Sequence, residues 1–448
     1  MKKGTTKILS AAVCTVLALA ALTGCGNSGG IRNLMDGVTT EPNQAGPGNF
    51  GQLPQDAGDS AAPGNDLPPG GTISLPSADA VTCTDFAVRL FQECTRSQGD
   101  GNILVSPLSV INALAMTANG ARGETLKQME ELFGADLDSL CSYLHNYNKC
   151  LPTDQKYKLH SANSIWIRDD RSFTVQPDFL QTNAEWFNAD VYMAPFDGST
   201  LRDINKWVSE NTDEMIPKIL DEIPAATVMY LINALAFDAE WQSVYYDHQV
   251  REDVFTREDG TTQDTEMMYS TEYTYLQDTQ AQGFVKYYHD AKYAFAALLP
   301  DEGVSLAEYT ASLTGERLHE LLSNPEKTAV DTAIPKFEAE YSTLLNDVLE
   351  NLGMTDAFDP DAADLSGLGT SPGGNLFISR VIHKTYISVN EKGTKAGAAT
   401  VVEVRCKSEM VADEKIKTVY LDQPFVYMII DCEENLPIFI GTVADLEQ

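Results

Sequence analysis

The sequence predicts an α+β domain, built from helices and a large, mainly antiparallel sheet, that follows an export signal and a tether. Two observations support the domain. Strand-like runs and helical segments alternate without a regular period or an internal repeat, which is typical of the α+β class. Hydrophobic residues make up 43% of the 448 residues and aromatic residues 9%, which is enough to bury one large core. We assign this domain to residues 78–448.

The first 24 residues have the features of an export signal. Three lysines precede an apolar run over residues 8–22, which is short for a transmembrane helix. The run ends in Leu22-Thr23-Gly24-Cys25, which resembles the lipobox of bacterial lipoproteins. We therefore expect residues 1–24 to be removed as a lipoprotein signal peptide and Cys25 to carry a lipid on the extracellular face of the cell membrane. An ordinary signal peptide followed by an incidental cysteine is the alternative.

Residues 25–77 join this cysteine to the folded domain. Residues 26–76 contain 11 Gly and 7 Pro, a share that is typical of disordered sequence. A flexible coil of this length has an r.m.s. span of about 40 Å. We therefore expect a disordered tether that holds the exported domain clear of the membrane.

The helices of the domain are marked by apolar spacing and by capping residues. Apolar side chains within residues 86–91 have helical spacing. Ser106 can cap the free amide groups of a helix whose first residue is Pro107. A further helix is expected over residues 123–133, because Gly134 can end it.

Runs of β-branched and apolar residues mark the strands of the expected sheet. They are separated by helical segments and by turns, so the sheet is assembled from distant parts of the chain. The runs lie at residues 103–105, 164–168, 230–237, 294–299 and 424–431.

Charge and motifs exclude several classes of function. The formal net charge is −34, and nucleic-acid binding needs clustered Lys and Arg, so we expect no nucleic-acid partner. The sequence matches GxSxG at residues 26–30 and 369–373 and GxGxxG at residues 46–51, but these matches lie in glycine-rich stretches and not between a strand-like run and a helix, so they form no nucleophile elbow and no dinucleotide fingerprint. The sequence also has no phosphate-binding loop and no HExxH motif. No Cys or His spacing suggests a metal site. We therefore predict a protein that is not an enzyme and uses no cofactor and no metal.

The segment between two apolar strands near the C terminus is the most informative part of the sequence. Residues 396–399 are all Ala or Gly, and such small side chains can slide past packed neighbours. Val401, Val402 and Val404 follow and strongly prefer strands. The pattern predicts a loop that can become a strand. A Gly/Ala-rich surface loop without a mechanism is the alternative when these residues are taken alone.

Motifs along the whole domain match one known family. Glu391-Lys-Gly-Thr-Lys-Ala-Gly-Ala-Ala-Thr400 closely resembles the hinge of the reactive-centre loop of the inhibitory serpins, and Leu421-Asp-Gln-Pro-Phe425 begins a run that resembles their signature after that loop. The resemblance runs in consistent order from about residue 78 to residue 447. Further matches are Ser106-Pro-Leu-Ser109, Asn163-Ser-Ile-Trp166, Asn233-Ala234 with Trp241, and Pro335-Lys-Phe337.

The resemblance implies a serpin fold with an exposed reactive-centre loop and a serine-protease inhibitor of the suicide-substrate type. In inhibitory serpins, a protease cleaves the exposed loop and is trapped as an acyl-enzyme while the loop inserts into the central sheet as a new strand. It implies serine proteases as partners, with cysteine proteases as a second class, and a monomeric chain. The hinge residues that would enter the sheet are Glu391, Gly393, Thr394, Ala396, Gly397, Ala398, Ala399 and Thr400.

The resemblance also assigns residues that control opening of the sheet. Ser106, Ser109, Asn233 and His383 match the family's shutter, a buried hydrogen-bonded cluster beneath the opening strands. Trp241 matches the breach, where insertion begins. A buried histidine needs hydrogen-bond partners in any fold, so we assign no acid–base chemistry to His383.

The position of the cleaved bond depends on the direction of counting. Counting from Glu391 by the usual length of the hinge places it at Lys407-Ser408, which suits a trypsin-like protease whose pocket holds a cation. Counting back from the strand that follows the loop places it near Asp413 instead. We prefer the first count, because insertion fixes the length on the hinge side. Arg405 and Met410 are the alternatives.

Three other functions stay open on the sequence alone. A non-inhibitory serpin would use the scaffold for binding only, although the small hinge residues favour inhibition. A surface lipoprotein that binds a small solute is supported only by the anchor and the tether. A hydrolase would need a catalytic triad, and the sequence offers no recognisable one.

Overall fold

The structure is a computed structural model that describes most of the predicted domain and one short segment before it. The described residues are 30–38, 77–99, 101–151, 157–169, 173–187, 189–371, 375–394 and 416–446. The predicted signal peptide, Cys25, most of the predicted tether and residues 395–415 lie outside these ranges.

Several helices begin or end at capping residues that the sequence provides. Ser106 accepts a hydrogen bond from the Ser109 amide, and Pro107 is the first residue of the second helix. Gly134 ends the third helix in a left-handed conformation with φ 76°. No helix in the described ranges is long and apolar enough to cross a membrane. The α-helices of those ranges are α1 (Ala78–Gln98), α2 (Pro107–Ala118), α3 (Gly123–Phe133), α4 (Leu137–Lys149), α5 (Pro177–Phe187), α6 (Gly198–Asn211), α7 (Leu306–Ser312), α8 (Gly315–Ser323) and α9 (Asn346–Asn351).

The strands include every run predicted from the sequence, with ends that differ by a few residues. Those predicted at 164–168 and 230–237 belong to two strands of 12 residues each. In chain order the strands are β1 (Arg32–Asn33), β2 (Ile103–Val105), β3 (Tyr157–Arg168), β4 (Thr174–Val175), β5 (Asp190–Ala194), β6 (Met229–Glu240), β7 (Val250–Thr256), β8 (Thr262–Glu272), β9 (Tyr275–Gln277), β10 (Ala281–Tyr287), β11 (Tyr293–Pro300), β12 (Val330–Pro335), β13 (Phe337–Leu344), β14 (Gly369–Thr370), β15 (Arg380–Asn390), β16 (Gly393–Thr394), β17 (Lys417–Tyr420), β18 (Phe425–Asp431) and β19 (Leu436–Val443).

Three larger sheets and one two-stranded sheet, formed by β4 and β14, organise these strands. Sheet A has seven strands in the order β1-β5-β3-β6-β16-β15-β13, sheet B has six in the order β2-β19-β18-β11-β10-β9, and sheet C has four in the order β17-β12-β8-β7. In sheet A, β3 pairs with β5 and β6 pairs with β15 in parallel, whereas its other described pairings are antiparallel. The predicted α+β class with a large, mainly antiparallel sheet is therefore confirmed.

The main core lies between sheets A and B. Phe237 of β6 meets Tyr293 of β11 edge to face, with ring centroids 5.7 Å apart, and Phe337 of β13 meets Tyr427 of β18 at 5.2 Å. Helix α2 packs against β19 of sheet B and against β3 and β6 of sheet A. All 12 of its residues are buried, which explains why α2 contains no charged residue.

The segment at residues 30–38 departs from the predicted tether. β1 pairs antiparallel with β5 at the edge of sheet A, and the Leu34 amide donates to the Val191 carbonyl at 2.8 Å. The prediction of a disordered tether is therefore wrong for these residues. The Gly/Pro-rich composition of residues 26–76 does not reveal this strand, because a short edge strand needs only a few apolar side chains and an open partner strand.

Candidate functional site

The predicted insertion point lies at the seam between β6 and β15, in the middle of sheet A. The two strands pair in parallel from Tyr230 opposite Arg380 to Ala236 opposite Tyr386. Beyond this stretch β16, the start of the predicted hinge, lies between them and pairs antiparallel with both. The hinge therefore enters the sheet at one end of the seam, while the rest of the seam is closed.

The two residues of β16 fit their positions for different reasons. A Cβ atom on Gly393 would lie 2.0 Å from the carbonyl oxygen of Ala239, so only glycine lets the hinge backbone approach β6 this closely. Thr394 is fully buried. Its hydroxyl shares a hydrogen bond of 2.6 Å with the hydroxyl of Tyr288. The start of the hinge is thus tied to residues beneath the sheet.

A row of polar side chains crosses the closed part of the seam. Asn163 of β3, Asn233 of β6 and His383 of β15 lie opposite one another in the strand register, so their side chains share one face of the sheet. Asn233 Nδ2 donates to Asn163 Oδ1 at 2.7 Å, and His383 Nδ1 donates to Asn233 Oδ1 at 2.6 Å. The second bond joins the two strands that an inserted strand would separate.

The hydrogen bonds of His383 define its tautomer and its charge. The Ser106 amide donates to Nε2 at 3.1 Å, so Nε2 carries no proton. Nδ1 therefore carries the proton that it donates to Asn233. The ring is fully buried, and this burial lowers the pKa of His383 to about 3. His383 is a neutral hydrogen-bonding group near pH 7.

The N terminus of α2 covers this row. Ser106 Oγ donates to the Ile438 carbonyl at 2.8 Å and accepts from the Ser109 amide at 3.4 Å. Ser109 Oγ lies 3.5 Å from Asn163 Oδ1. The first amide groups of a helix have no partners within the helix. Here the Ser106 side chain caps the Ser109 amide, and the Ser106 amide donates to His383. The structure thus brings the four predicted shutter residues together with Asn163, and we call these five residues the shutter cluster.

Trp241 occupies the open end of the seam. Its ring stacks on Tyr288 with centroids 4.4 Å apart and planes at 10°. Its Nε1 donates to the Asn390 carbonyl at 2.8 Å, and its amide donates to the Lys392 carbonyl at 2.9 Å. Trp241, which we predicted at the breach, is therefore bonded to the turn that leads into the hinge.

A buried ion pair lies beside Trp241. Lys286 Nζ is 2.7 Å from Glu272 Oε1, and the two side chains are 2% and 15% exposed. The ammonium group also lies 4.4 Å from the ring centroid of Tyr245. Burial alone would lower the pKa of Lys286, but Glu272 and Tyr245 outweigh it and raise that pKa, so the lysine stays charged. We call Trp241, Tyr245, Glu272, Lys286 and Tyr288 the breach cluster.

The hinge itself begins at a second, more exposed ion pair. Lys336 Nζ lies 3.1 Å from Glu391 Oε2 and 3.2 Å from Glu266 Oε2. Burial would raise the pKa of Glu391, but backbone hydrogen bonding and Lys336 lower it overall. The Glu391 carbonyl also accepts from the Tyr245 amide at 2.8 Å. These contacts hold the first hinge residue in one place.

Helix α6 covers the opposite face of the seam. Ile204 and Val208 of α6 are fully buried. They pack in one cluster with Tyr230 and Ile232 of β6 and Ile382 of β15. This face is apolar, whereas the face that carries the shutter cluster is polar along the row. The seam is therefore buried on both sides.

Part of the predicted site lies outside the described residues. The structure describes Glu391, Gly393 and Thr394 of the hinge. The five cysteines that it describes are free, and no group of His, Cys, Asp or Glu in the same ranges could hold a metal ion. The predicted residues outside those ranges are Cys25, Ala396, Gly397, Ala398, Ala399, Thr400, Arg405, Lys407, Ser408 and Met410.

Several residues of the two clusters were not identified from the sequence. Asn163 stands in a recognised motif, but its place in the cluster depends on the register of three strands. Tyr288, Lys286 and Glu272 have no motif of their own. An apolar strand that contains a single lysine, as β10 does, is the one signal that could have indicated a buried ion pair.

Comparisons with known proteins agree on one family. The family model described as Serpin (serine protease inhibitor) matches residues 81–446. The leukocyte elastase inhibitor of Xenopus laevis is 31% identical over 375 residues, which cover 80% of this chain and 97% of that protein. An uncharacterized serpin-like protein of Thermococcus kodakarensis is 30% identical over 367 residues, which cover 80% of this chain and 84% of that protein. The crystal structure of the thermophilic serpin tengpin in its native state has a TM-score of 0.81 and 44% identity, covering 93% of this chain and 100% of that one.

Proposed function

Because the chain belongs to the serpin family, we propose that it inhibits serine proteases as a suicide substrate. The protease serine attacks the loop at residues 395–415, and its oxygen forms an ester with the carbonyl carbon of Lys407 while the peptide bond to Ser408 breaks. The hinge then enters the seam as a new strand of sheet A before water hydrolyses the ester.

The position of β16 is the observation that carries this proposal. Gly393 and Thr394 already lie between β6 and β15 and pair with both strands. A cleaved loop needs only to continue this pairing to extend along the seam.

Insertion improves the backbone pairing of the sheet. The closed seam is a parallel pairing, and β16 is antiparallel to each of its strands. A longer inserted strand would replace one parallel pairing by two antiparallel ones, which are slightly more stable per residue. The registers on the two sides also agree, so β6 and β15 can separate without sliding along each other. These features favour insertion once the loop is free at one end.

Thr400 has a special place in the inserted strand. If the register of β16 continues, Thr400 comes opposite both Asn233 and His383, on the face that carries the shutter cluster. Insertion breaks the hydrogen bond between those two side chains, because it moves the strands apart by another strand spacing. The Thr400 hydroxyl can donate to one and accept from the other. We therefore expect Thr400 to restore the hydrogen bonding that opening removes.

The proposed target is a trypsin-like protease, because Lys407 is the preferred residue before the cleaved bond. Arg405 would suit the same class. Met410 would suit a chymotrypsin-like or elastase-like protease, and several relatives are named leukocyte elastase inhibitors. We further propose that the mature chain is exported and held on the extracellular face of the membrane by a lipid on Cys25.

The inhibitor proposal is tested by mixing residues 30–448 with trypsin, chymotrypsin and elastase. We expect a covalent complex with at least one protease that survives boiling in detergent on a denaturing gel. Mass spectrometry of the released C-terminal peptide identifies the bond by the first residue of that peptide. Cleavage without a stable complex for every serine and cysteine protease tried would favour the non-inhibitory alternative and contradict the proposal.

Two neighbouring substitutions test insertion at the seam. Ala396 shares the buried face of Thr394 in the inserted strand, whereas Lys395 lies on the other face. Ala396→Arg should convert the inhibitor into a substrate, because a buried unpaired charge stalls insertion. Lys395→Arg is the matched control and should form the complex normally. Equal complex yields from both variants would rule out this insertion path.

A further inference from the structure

Residues 30–38 are held against sheet A by polar contacts at several points. Arg32 Nη2 lies 3.3 Å from Asp169 Oδ2, and Asn33 Nδ2 donates to Asp190 Oδ1 at 3.0 Å. The other oxygen of the Asp190 carboxylate accepts from Trp207 Nε1 of α6 at 2.8 Å. One carboxylate therefore binds both β1 and α6, so the segment is fixed to two elements of the domain.

Apolar contacts fix the same segment in one register. Ile31 packs against the cluster that contains Ile204 of α6, while Leu34 and Met35 pack against the main core. A shift of one residue would turn each of these side chains to the wrong face. The docked segment also covers β5, which would otherwise be an open edge of sheet A.

The strand register places this segment at the end of sheet A that is remote from the hinge. Asn33 lies opposite Tyr192, which aligns through β3 with Tyr230 on β6. Thr394 of the hinge lies opposite Ala239 on the same strand. Nine residues of strand separate these two levels, which corresponds to roughly 30 Å.

The chain between the proposed lipid and the docked strand is short. Only about seven residues separate Cys25 from Arg32, so they reach at most about 25 Å when fully extended. The whole stretch from Cys25 to Ala78 would reach roughly 180 Å when extended. Docking of β1 therefore removes most of the reach that the tether would have.

We propose that β1 is a clasp that holds the remote end of sheet A close to the bilayer and so presents the protease-binding loop away from it. This inference rests on the proposed lipid at Cys25. While the clasp is docked, the length of residues 39–76 does not enter the connection to the membrane, because those residues follow β1 along the chain. The number of residues between Cys25 and β1, and not the number between β1 and α1, sets the height of the domain above the bilayer.

The same insertion placed on either side of β1 tests the clasp without disturbing any docked residue. Twenty Gly/Ser residues are inserted after Asn27 in one variant and after Gly51 in the other. The lipidated chains are bound to supported bilayers of neutral phospholipid, and neutron reflectometry measures the height of the protein layer. We expect only the insertion after Asn27 to raise the domain. Equal increases in both variants, or an increase only after Gly51, would overturn the proposal.

Two further measurements separate the clasp from the anchor. Mass spectrometry of the mature chain shows whether Cys25 carries a lipid, and a chain without lipid forms no layer, which contradicts the anchor. In the soluble chain 26–448, hydrogen exchange of the Leu34 amide tests docking by itself. We expect exchange at least 100-fold slower than in an unfolded peptide. Exchange at the unfolded rate would overturn the clasp whether or not the anchor exists.

Discussion

The shutter cluster and the breach cluster hold the same seam by different physical means. The shutter cluster joins β6 to β15 through neutral hydrogen bonds among buried groups, with His383 fully enclosed. The breach cluster combines a stacked aromatic pair with an ion pair whose Glu272 side chain is 15% exposed. Each member of a neutral network depends on its neighbours, whereas an ion pair can be replaced as a unit. The two clusters should therefore respond differently to substitution.

The largest effect is expected at the shutter cluster. His383→Leu leaves Asn233 Oδ1 and the Ser106 amide without the partners that His383 provides, and each unpaired buried group costs about 1–3 kcal/mol. We expect the free energy of unfolding to fall by about 4 kcal/mol, measured by urea unfolding followed by circular dichroism. Thr343→Val, opposite His383 on β13 but partly exposed, is the control and should change it by less than about 0.5 kcal/mol. A loss below about 1 kcal/mol for His383→Leu would contradict the account of the cluster.

A smaller loss of stability is expected at the breach ion pair, and a second substitution should restore most of it. Lys286→Met removes the cation beside the Glu272 carboxylate, which keeps the hydrogen bond from the Ser270 hydroxyl at 2.7 Å. We expect this loss to lower the free energy of unfolding by about 3 kcal/mol. Adding Glu272→Leu should recover most of that loss, because the unpaired charge is then absent.

The exposed pair of Lys127 and Glu124 is the control for this experiment. Its side chains are 61% and 58% exposed, so Lys127→Met should leave the free energy of unfolding nearly unchanged. If the double variant at the breach were as unstable as Lys286→Met alone, the two clusters would not differ in the way proposed.

More of the shutter cluster than of the breach cluster was predicted from the sequence, and the reason is physical. The start of α2 was predictable, because Ser106 and Pro107 form a local cap signal. The alignment of Asn163, Asn233 and His383 depends on the register of strands far apart in the chain, which no local pattern encodes. Resemblance to a family supplied four of the five shutter positions and Trp241, but not the ion pair beside it.

The β1 edge of sheet A shows the same limit of prediction from local sequence. Composition predicted a disordered tether over residues 25–77, yet β1 docks on β5. Glycine and proline on either side dominate the composition, while docking depends on a few specific contacts, such as those of the Asn33 side chain with Asp190 and of the Leu34 amide with Val191. The average composition of a stretch of sequence does not show contacts between individual residues.

Acid should weaken the shutter cluster before the breach cluster. His383 has a pKa of about 3 in the folded chain, against 6.5 when unperturbed. Between these values the unfolded chain binds a proton that the folded chain excludes, so the stabilisation is complete above pH 6.5 and is lost as the pH falls. From pH 7.5 to pH 5 we expect a loss of about 2 kcal/mol.

A variant without the titrating ring isolates this contribution. His383→Gln should lose about 2 kcal/mol less than the natural chain over the same pH range, measured by urea unfolding at each pH. Lys286 keeps its charge throughout, because its pKa is raised. Parallel pH profiles for the natural chain and His383→Gln would show that other groups govern the acid response.

The smallest effect concerns the tie between the breach cluster and the hinge. Tyr288→Phe removes the hydroxyl that bonds to Thr394 at 2.6 Å but keeps the ring stacked on Trp241, so we expect a loss of about 1 kcal/mol in urea unfolding. Tyr427→Phe is the matched control, because the Tyr427 hydroxyl is equally buried and has no hydrogen-bond partner among the residues that the structure describes.

Removing the Tyr427 hydroxyl relieves an unpaired polar group, so that variant should be as stable as the natural chain or slightly more stable. The difference between the two variants measures the hydrogen bond to the hinge, since both lose one buried oxygen from a tyrosine near the same core. If both substitutions destabilised the chain equally, the loss would reflect packing alone. The hinge would then be held at the breach by its backbone pairing in β16, and Thr394 would contribute no specific tie.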